Sequence, residues 1–302
     1  MEKIAKANKK NYIKLLIEKN SMVIAALFWA GAFIAGKFSV EEFPIFTLIF
    51  LRFFIGTIVI ASLLLKNEGN WKIEKKDLKL LVAMSLTGMV GYHLFFFMSL
   101  KFTSPVNSAL IGATNPCITT LLSAFFLKDK INSKNILAIL LAFTGVVLIT
   151  INGDFAKLIS MKFNKGDLLM MLAVLFWVVY AILSKKAGEK YSPLKITSYV
   201  FSICAIVTMP LMISEKPWEI IGNTTIKGWG SIIYMAIFAS VIGYLIQQIS
   251  IKKIGPSKTS LYINLVPLFS MILAFFILGQ KITLISVLAA TFIISGVFIN
   301  SR

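Results

Sequence analysis

Ten apolar stretches of about twenty residues follow one another along this chain of 302 residues. A helix of about twenty residues can cross the hydrocarbon core of a bilayer, and it satisfies its own backbone hydrogen bonds. Charged residues make up only 15% of the chain, whereas a soluble domain carries about 25%. The pattern predicts an all-α membrane protein with ten transmembrane helices, at residues 21–38, 43–65, 79–100, 105–127, 134–151, 167–186, 195–213, 228–250, 258–278 and 283–300.

Basic residues collect on one side of the predicted membrane. With the basic segment 1–20 in the cytoplasm, 22 of the 31 Lys and Arg residues lie on that side and eight lie outside. Cytoplasmic loops are enriched in such residues, so both termini are predicted to be cytoplasmic, and the short loops favour a bacterial inner membrane. The net charge of +18 does not predict nucleic-acid binding, because the basic residues occupy short gaps between apolar stretches.

The chain resembles itself at an offset of 151 residues. Over residues 99–149, 14 of 51 positions are identical to their counterparts, including Pro105, Pro116, Lys130 and Gly145. Hydrophobicity alone does not align prolines, lysines and glycines, so we favour an internal repeat over chance similarity. The predicted domains are the cytoplasmic segment 1–20, a first five-helix repeat at 21–152 and a second at 166–302.

An odd number of helices per repeat has a consequence for topology. The second repeat enters the membrane from the opposite side, which makes the two repeats inverted. In transporters of this kind the substrate site lies near the bilayer midplane between the repeats. The repeat therefore favours transport over a channel or a membrane enzyme.

Two segments resemble a known family. "ALFWAGAFIAGKFSVEEFPIFTLIFLRFF" and "IGPSKTSLYINLVPLFSMILAFFILGQKIT" are similar to the EamA-type members of the drug/metabolite transporter superfamily. Gln280 stands where the family signature usually has Glu. The resemblance covers essentially the whole chain and implies ten helices around a central cavity lined by helices 1, 3, 4, 6, 8 and 9. Helices 5 and 10 would be supporting or interface helices, so the protein is expected to be a monomer or a homodimer through them.

"GYHLFFF", residues 91–97, also resembles the third helix of aromatic amino acid exporters in this family. By that match Tyr92, His93 and Phe96 face the cavity, although Phe96 stands where that subgroup has Tyr. Aromatic spacing and amides within apolar helices extend the set, with interhelical packing and hydrogen bonding as the competing interpretation. The predicted substrate-binding residues are Trp29, Phe33, Tyr92, His93, Phe96, Asn115, Trp177, Tyr180, Tyr244, Gln248 and Asn264.

Arg52 lies in the middle of an apolar stretch, where a cation is expensive and faces protein or a water-filled cavity. We expect either a structural role, with hydroxyls, carbonyls or Glu41 and Glu42 as partners, or contact with a substrate carboxylate. The repeat-equivalent Lys37 and Lys185 are expected to be membrane-surface anchors or to attract anions at the two cavity mouths.

His93 is the only histidine. It is either satisfied by a nearby hydroxyl or carbonyl, or it couples proton movement to transport by titrating near neutral pH. Cys117 and Cys204 form no disulfide or metal-site spacing, and both are expected to pack in the core.

The sequence thus predicts a secondary transporter that exports amino acids or related small metabolites by alternating access, with no cofactor or metal. Its partners are the small-molecule substrate and the lipid bilayer. A facilitator or an exporter of another metabolite or drug class remains an alternative. So does a membrane-embedded enzyme, for which no catalytic constellation is visible, or a non-transporting receptor.

Overall fold

A computed structural model describes the backbone of residues 2–99, 101–103, 105–159, 163–278 and 283–301. Within these ranges it describes all side chains except those of 2–20, 37, 105–107, 157, 221, 274, 277–278 and 300–301. The described residues form helices and no strands, which confirms the all-α prediction. Lys37 and Gln280, singled out above, lie outside the described side chains.

Fifteen α-helices are present in the described part of the chain. They are α1 (Glu2–Glu42), α2 (Ile45–Asn67), α3 (Leu78–Met84), α4 (Tyr92–Ser99), α5 (Pro105–Gly112), α6 (Asn115–Leu127), α7 (Ser133–Ile151), α8 (Ala156–Ile159), α9 (Lys165–Lys190), α10 (Pro193–Ser214), α11 (Trp218–Ile221), α12 (Ile226–Tyr234), α13 (Gly243–Leu261), α14 (Leu265–Leu278) and α15 (Leu284–Ser301).

Eight helical stretches of the described chain are long and apolar enough to cross a membrane. The prediction of ten crossings goes beyond this count. The predicted eighth and ninth helices form one stretch of 48 residues, Ile226–Leu273, and the predicted tenth is a shorter apolar helix, Leu284–Ile299. At about 1.5 Å per residue, 48 residues extend about 70 Å, more than twice the thickness of the hydrocarbon core.

Local sequence explains where several helices begin. Asn164 caps α9 by accepting hydrogen bonds from the backbone N–H groups of Gly166 and Asp167, and the Asp167 carboxylate accepts from the Asn164 N–H. Ser192 and Thr225 cap α10 and α12 in the same way through their hydroxyls. These side chains satisfy backbone donors that have no partner within the helix.

Helical geometry changes within four of the predicted spans. Two π-helical segments, Ser85–Gly91 and Met235–Ile242, connect α3 to α4 and α12 to α13. The chain turns at residues 113–114, just before Pro116. A 3₁₀ segment covers Tyr262–Asn264, just before Pro267. Gly255, with φ 83°, bends the chain before Pro256 in a conformation that favours glycine.

Close packing of α7 against α15 depends on two glycines. A Cβ atom on Gly145 would lie 2.7 Å from the Ala289 carbonyl oxygen and 2.9 Å from the Ile293 nitrogen. A Cβ atom on Gly296 would lie 2.6 Å from the Ala138 carbonyl oxygen and 2.9 Å from the Ala142 nitrogen. The two contacts are equivalent under the offset of 151 positions, which relates Gly145 to Gly296, Ala138 to Ala289 and Ala142 to Ile293.

Polar contacts gather at two opposite ends of the helical bundle. At the first end, Glu42 accepts hydrogen bonds from the backbone and hydroxyl of Thr225, both at 2.7 Å. Glu215 there accepts from the N–H groups of Phe46 and Thr47, at 3.1 and 2.7 Å, and from the Thr47 hydroxyl at 2.8 Å. These contacts join the end of α1 to the start of α12, and the end of α10 to the start of α2.

At the second end, Lys190 forms ion pairs with Glu74 at 2.7 Å and Asp77 at 2.6 Å. The Tyr191 hydroxyl donates to Asp77 at 2.6 Å, and Ser192 donates to Glu68 at 2.8 Å. These contacts join the end of α9 to the segment before α3, and the end of α2 to the start of α10.

Candidate functional site

Aromatic side chains from five helices and a polar amide meet halfway between the two ends. We name this group the central cluster, and its members are Trp29, Phe53, Tyr92, His93, Trp177, Tyr180, Tyr244 and Gln248. All except Tyr92, which is half-buried, are buried in the structure. Trp177 lies at its middle, with ring centroids 4.6 Å from Tyr92, 5.6 Å from Tyr244 and 6.0 Å from Trp29.

The π-helical segments provide hydrogen-bond acceptors for the polar atoms of the cluster. Trp29 Nε1 donates to the Ala239 carbonyl at 3.0 Å, and His93 Nδ1 lies 2.8 Å from the Met89 carbonyl. Ala239 and Met89 belong to the two π segments, whose hydrogen-bond pattern differs from that of a regular helix. The segments therefore hold the indole and the imidazole in fixed orientations.

The His93 contacts determine which ring nitrogen carries the proton in a neutral imidazole. The carbonyl of Met89 accepts a hydrogen bond, so Nδ1 is the protonated nitrogen. Nε2 is then an acceptor that faces the Tyr244 hydroxyl at 3.5 Å. A proton taken up by His93 would be bound at Nε2.

Gln248 connects α13 with α9 through its amide nitrogen. The Nε2 atom donates to the Tyr180 hydroxyl at 2.6 Å and to the Ser184 hydroxyl at 2.9 Å. The amide fixes the position of Tyr180, which packs against both Trp177 and Tyr244. The polar part of the cluster is thus continuous with its aromatic part.

Arg52 brings a positive charge next to the central cluster. Its side chain is buried, and Nε donates to the Ser240 hydroxyl at 2.7 Å. The neighbouring Phe53 contacts His93, Phe201 and Tyr244, with ring centroids 5.1, 5.0 and 6.3 Å away. Of the partners that the sequence suggested for Arg52, a hydroxyl is the one observed, and Glu42 binds Thr225 instead.

Cavities lie at both ends of the bundle. The first cavity, about 460 Å³, is at the first end and is lined by Glu41, Glu42, Phe97 and Lys101 among others. Phe97 contacts His93 of the central cluster at a centroid distance of 6.1 Å. The first cavity therefore ends one side chain away from the cluster.

The second cavity, about 310 Å³, is at the second end, and its charged lining residues are Asp129, Lys130, Lys185, Lys253 and Lys258. Lys185 directly follows Ser184, which binds Gln248 of the cluster. The central cluster thus lies between the two ends of the bundle at which the cavities are found.

The structure brings nine of the eleven predicted substrate-binding residues into one network of contacts. Phe33 is 51% exposed and joins the cluster only through Phe96, 5.5 Å away, which stacks on Tyr92. Asn115 and Asn264 are buried outside the network. Asn115 accepts a hydrogen bond from Thr119, whereas Asn264 Nδ2 has no partner in the described part of the chain.

The remaining predictions have separate outcomes. Lys185 lines the second cavity and donates to the Lys252 carbonyl at 3.3 Å. Cys204 is buried, but the prediction that Cys117 packs in the core is wrong, because its side chain is exposed. The buried face of α6 carries Asn115, Thr119, Thr120 and Ser123, and Cys117 does not belong to it.

Sequence reasoning missed Phe53, Phe201 and Ser240. Phe53 and Phe201 are two of 25 phenylalanines, and nothing in their sequence context separates them from those that face outward. Ser240 lies in the second π segment, whose altered register turns it toward Arg52. The available signal for Phe53 was its position next to Arg52, an arginine within an apolar stretch.

Comparisons with known proteins agree with this architecture. The EamA-like transporter family matches residues 20–151 and, separately, residues 164–302. The chain is 34% identical to the uncharacterized transporter YyaM of Bacillus subtilis, over 91% of this chain and 90% of that protein. It is 26% identical to an uncharacterized transporter of Archaeoglobus fulgidus, over 93% and 96% of the two chains. A protein of known crystal structure has the same fold, with a TM-score of 0.73 at 20% identity, over 93% of this chain and 95% of that one.

Proposed function

Because this chain belongs to the EamA-like transporter family of the drug/metabolite transporter superfamily, we propose that it is a secondary transporter that exports amino acids or related small metabolites by alternating access. The observation that carries this proposal is the position of the central cluster. Its packed side chains lie between two cavities at opposite ends of the bundle, where they would act as a barrier. Opening one side of such a barrier at a time exposes a central site to each side of the membrane in turn.

The proposal includes ten transmembrane helices in two inverted repeats. Three features support it, each present once in either half of the chain. The family matches both halves, a π-helical segment occurs in each, and Gly145 and Gly296 make reciprocal contacts across α7 and α15. Inverted repeats allow rocking of one half against the other around a fixed central site.

In the proposed orientation the second end faces the cytoplasm and the first end faces outward, in a bacterial inner membrane. The excess of Lys and Arg on the side of the second end supports this arrangement. The lysine-lined second cavity would then be the cytoplasmic entrance for an exported molecule.

The chemistry of the cluster suits a small molecule with an apolar body and few polar groups. Trp29, Trp177 and Tyr244 offer aromatic faces, and Gln248 and Tyr180 offer hydrogen-bonding groups. His93 is the proposed proton-coupling residue, because its Nε2 faces the cluster. A facilitator of the same fold would use the cluster without titrating His93.

The alternatives from other classes are a membrane-embedded enzyme and a non-transporting receptor. The relatives are named transporters, which favours transport over both. A direct measurement of flux separates them.

Counterflow in proteoliposomes tests the proposal. Vesicles preloaded with one unlabelled amino acid or metabolite are assayed for uptake of the labelled compound, over a panel of the twenty amino acids and several amines and organic acids. We expect saturable exchange of one chemical group. Exchange of no compound in the panel would overturn the proposed substrate class.

Variants locate the site. Trp177→Ala should lower exchange at least about tenfold, equivalent to about 1.4 kcal/mol. Trp218→Ala, which removes a tryptophan that is 62% exposed, should leave exchange unchanged. Gel filtration confirms that each variant is folded.

His93→Gln should abolish the effect of an imposed pH gradient on exchange if His93 couples protons. Unchanged pH dependence would assign His93 to packing.

A further inference from the structure

The positive charge of Arg52 is buried without a counter-ion among the described side chains. Its guanidinium hydrogen-bonds Ser240 and lies 5.4 Å from the Phe53 ring centroid, and no carboxylate in the described part of the chain pairs with it. The acidic residues closest to it along the chain are Glu41, Glu42 and Glu68. Glu42 accepts hydrogen bonds from Thr225, and Glu68 accepts one from Ser192. A buried cation in a membrane protein generally pairs with another group or contacts substrate.

Geometry leaves the far end of the guanidinium available. An arginine has five N–H donors, and its two terminal nitrogens match the two oxygens of a carboxylate. Ser240 occupies only Nε, and in the described part of the chain the terminal nitrogens have no hydrogen-bond partner. Ser240 therefore fixes the side chain while leaving the edge that binds carboxylates unused.

One aromatic ring, Phe53, lies against the guanidinium, and further rings pack against it. Phe53, Phe201 and Tyr244 pack against one another with centroids 5.0 to 6.3 Å apart, and Phe53 extends the contact to His93. The described residues of the cluster include no acidic side chain that would bind an ammonium group. The site thus combines one cation with apolar walls.

The two cavities differ in charge in a way that agrees with an anionic ligand. Four lysines and one aspartate line the second cavity, whereas two glutamates and one lysine line the first. Lining charges of one sign raise the local concentration of the opposite ion. An anion would be concentrated at the second end and not at the first.

We propose that Arg52 binds the carboxylate of the transported molecule, so that the substrates are organic monocarboxylates with an apolar body, with or without an amino group. This inference rests on the proposed function for the identity of the site, but it specifies which substrate group the site requires. On this basis an amino acid is recognised through its carboxylate, and its deaminated analogue is recognised as well.

Binding is measured without transport, by the tryptophan fluorescence of the full chain in detergent, since Trp29 and Trp177 lie in the cluster. The probes are 3-phenylpropanoate, its neutral amide 3-phenylpropanamide, and the cation 3-phenylpropylamine. A charge-assisted pair predicts that the acid binds at least about tenfold more tightly than the amide. Equal binding of acid and amide, tighter binding of the amine, or no binding of the acid would each overturn the inference.

Variants test the residue itself. Arg52→Gln should abolish the preference for the acid, and Arg52→Lys should retain part of it because the charge remains. Lys101→Gln, which removes a cation from the first cavity, is the matched control and should retain the full preference. If Arg52→Gln is misfolded by gel filtration, the Arg52→Lys variant and the analogue series on the native chain decide the question.

The two proposals fail in different ways. Counterflow that accepts amides as readily as acids would overturn the role of Arg52 and leave the transporter assignment intact. Selective binding of the acid without any counterflow would overturn the transport proposal and leave Arg52 as a carboxylate site.

Discussion

The contacts between helices at the two ends of the bundle use different chemistry. The end of α1 meets the start of α12 at the first end, and the end of α9 meets the segment before α3 at the second. The first contact is a carboxylate, Glu42, that accepts from neutral groups of Thr225. The second is an exposed ion-pair group, in which Lys190 bridges Glu74 and Asp77.

The contacts between α2 and α10 also differ between the two ends, in this case in the number of hydrogen bonds. Glu215 at the first end accepts three hydrogen bonds from the start of α2, whereas Glu68 at the second end accepts one from Ser192. Exposed ion pairs are weak and screened by salt, and a carboxylate at a helix start also gains from the helix dipole. The second end should therefore open more readily than the first, and its opening should depend on salt.

The largest effect is expected where α7 packs against α15, because the two halves of the chain make equal contacts there. Gly145→Ala and Gly296→Ala each place a methyl group within 3 Å of backbone atoms, so each should destabilise the protein by about 1–3 kcal/mol. Apparent melting temperatures in detergent measure this. Gly230→Ala, with no atom within 4 Å of the added carbon, is the control and should cause no loss. Tolerance of one core variant but not the other would show that the halves pack differently.

The next largest effect on stability is expected from removing Glu215 at the first end, compared with Glu68 at the second. Glu215→Ala removes three hydrogen bonds and a favourable charge from the start of α2, and should cost about 1–2 kcal/mol. Glu68→Ala removes one exposed hydrogen bond and should change stability by less than about 0.5 kcal/mol. The same melting experiment compares them. Equal losses would contradict the proposed difference between the ends.

A smaller effect concerns the ion pairs of Lys190. In Lys190→Gln, or at about 1 M salt, where the Debye length is about 3 Å, backbone amides at the start of α3 should exchange with deuterium faster. Amides at the start of α12 should be unaffected. Lys216→Gln serves as the control. It breaks a local ion pair, in which Lys216 lies 3.4 Å from Glu219, three residues further along the chain. Faster exchange at both ends would indicate general loosening instead.

The smallest effect is the acid dependence of the second end. The hydrogen bond from Lys190, and then that from Lys76, holds the pKa of Glu74 below its ordinary value of 4.5. For a carboxylate with a lowered pKa, the stabilisation is present above the ordinary value and is lost as the pH falls through the lowered one. Protection of α3 amides should therefore persist at pH 4.5 and decline only below it. Glu74→Gln should make that decline smaller, and an unchanged decline would assign it to other groups.

Much of the central cluster could be predicted because it uses rare residues. Trp29, His93, Trp177 and Gln248 are conspicuous in apolar helices, and the structure brings them together. Phe53 and Phe201 were not predictable, since they share their type with many outward-facing residues. Asn115 and Asn264 are amides within apolar helices, as Gln248 is, yet they lie outside the contact network, because the residue type indicates a buried position without identifying its neighbours.

The sequence by itself determined that the chain is helical and membrane-embedded, because the length and polarity of a spanning segment are local properties. It also predicted an internal repeat from residue identity at an offset of 151, and the EamA-like family matches each half of the chain separately. The helical character follows from the fact that a lipid-facing helix must satisfy its own backbone hydrogen bonds.

Only the tertiary structure decided what Arg52 contacts, how the two ends are joined, and where the helices change to π geometry. These features depend on pairs of residues far apart in the chain, such as Arg52 with Ser240 and Lys190 with Glu74. Whether a hydrogen bond or an ion pair forms depends on the donor–acceptor distance to within a few tenths of an ångström. That distance is set only when several helices pack together.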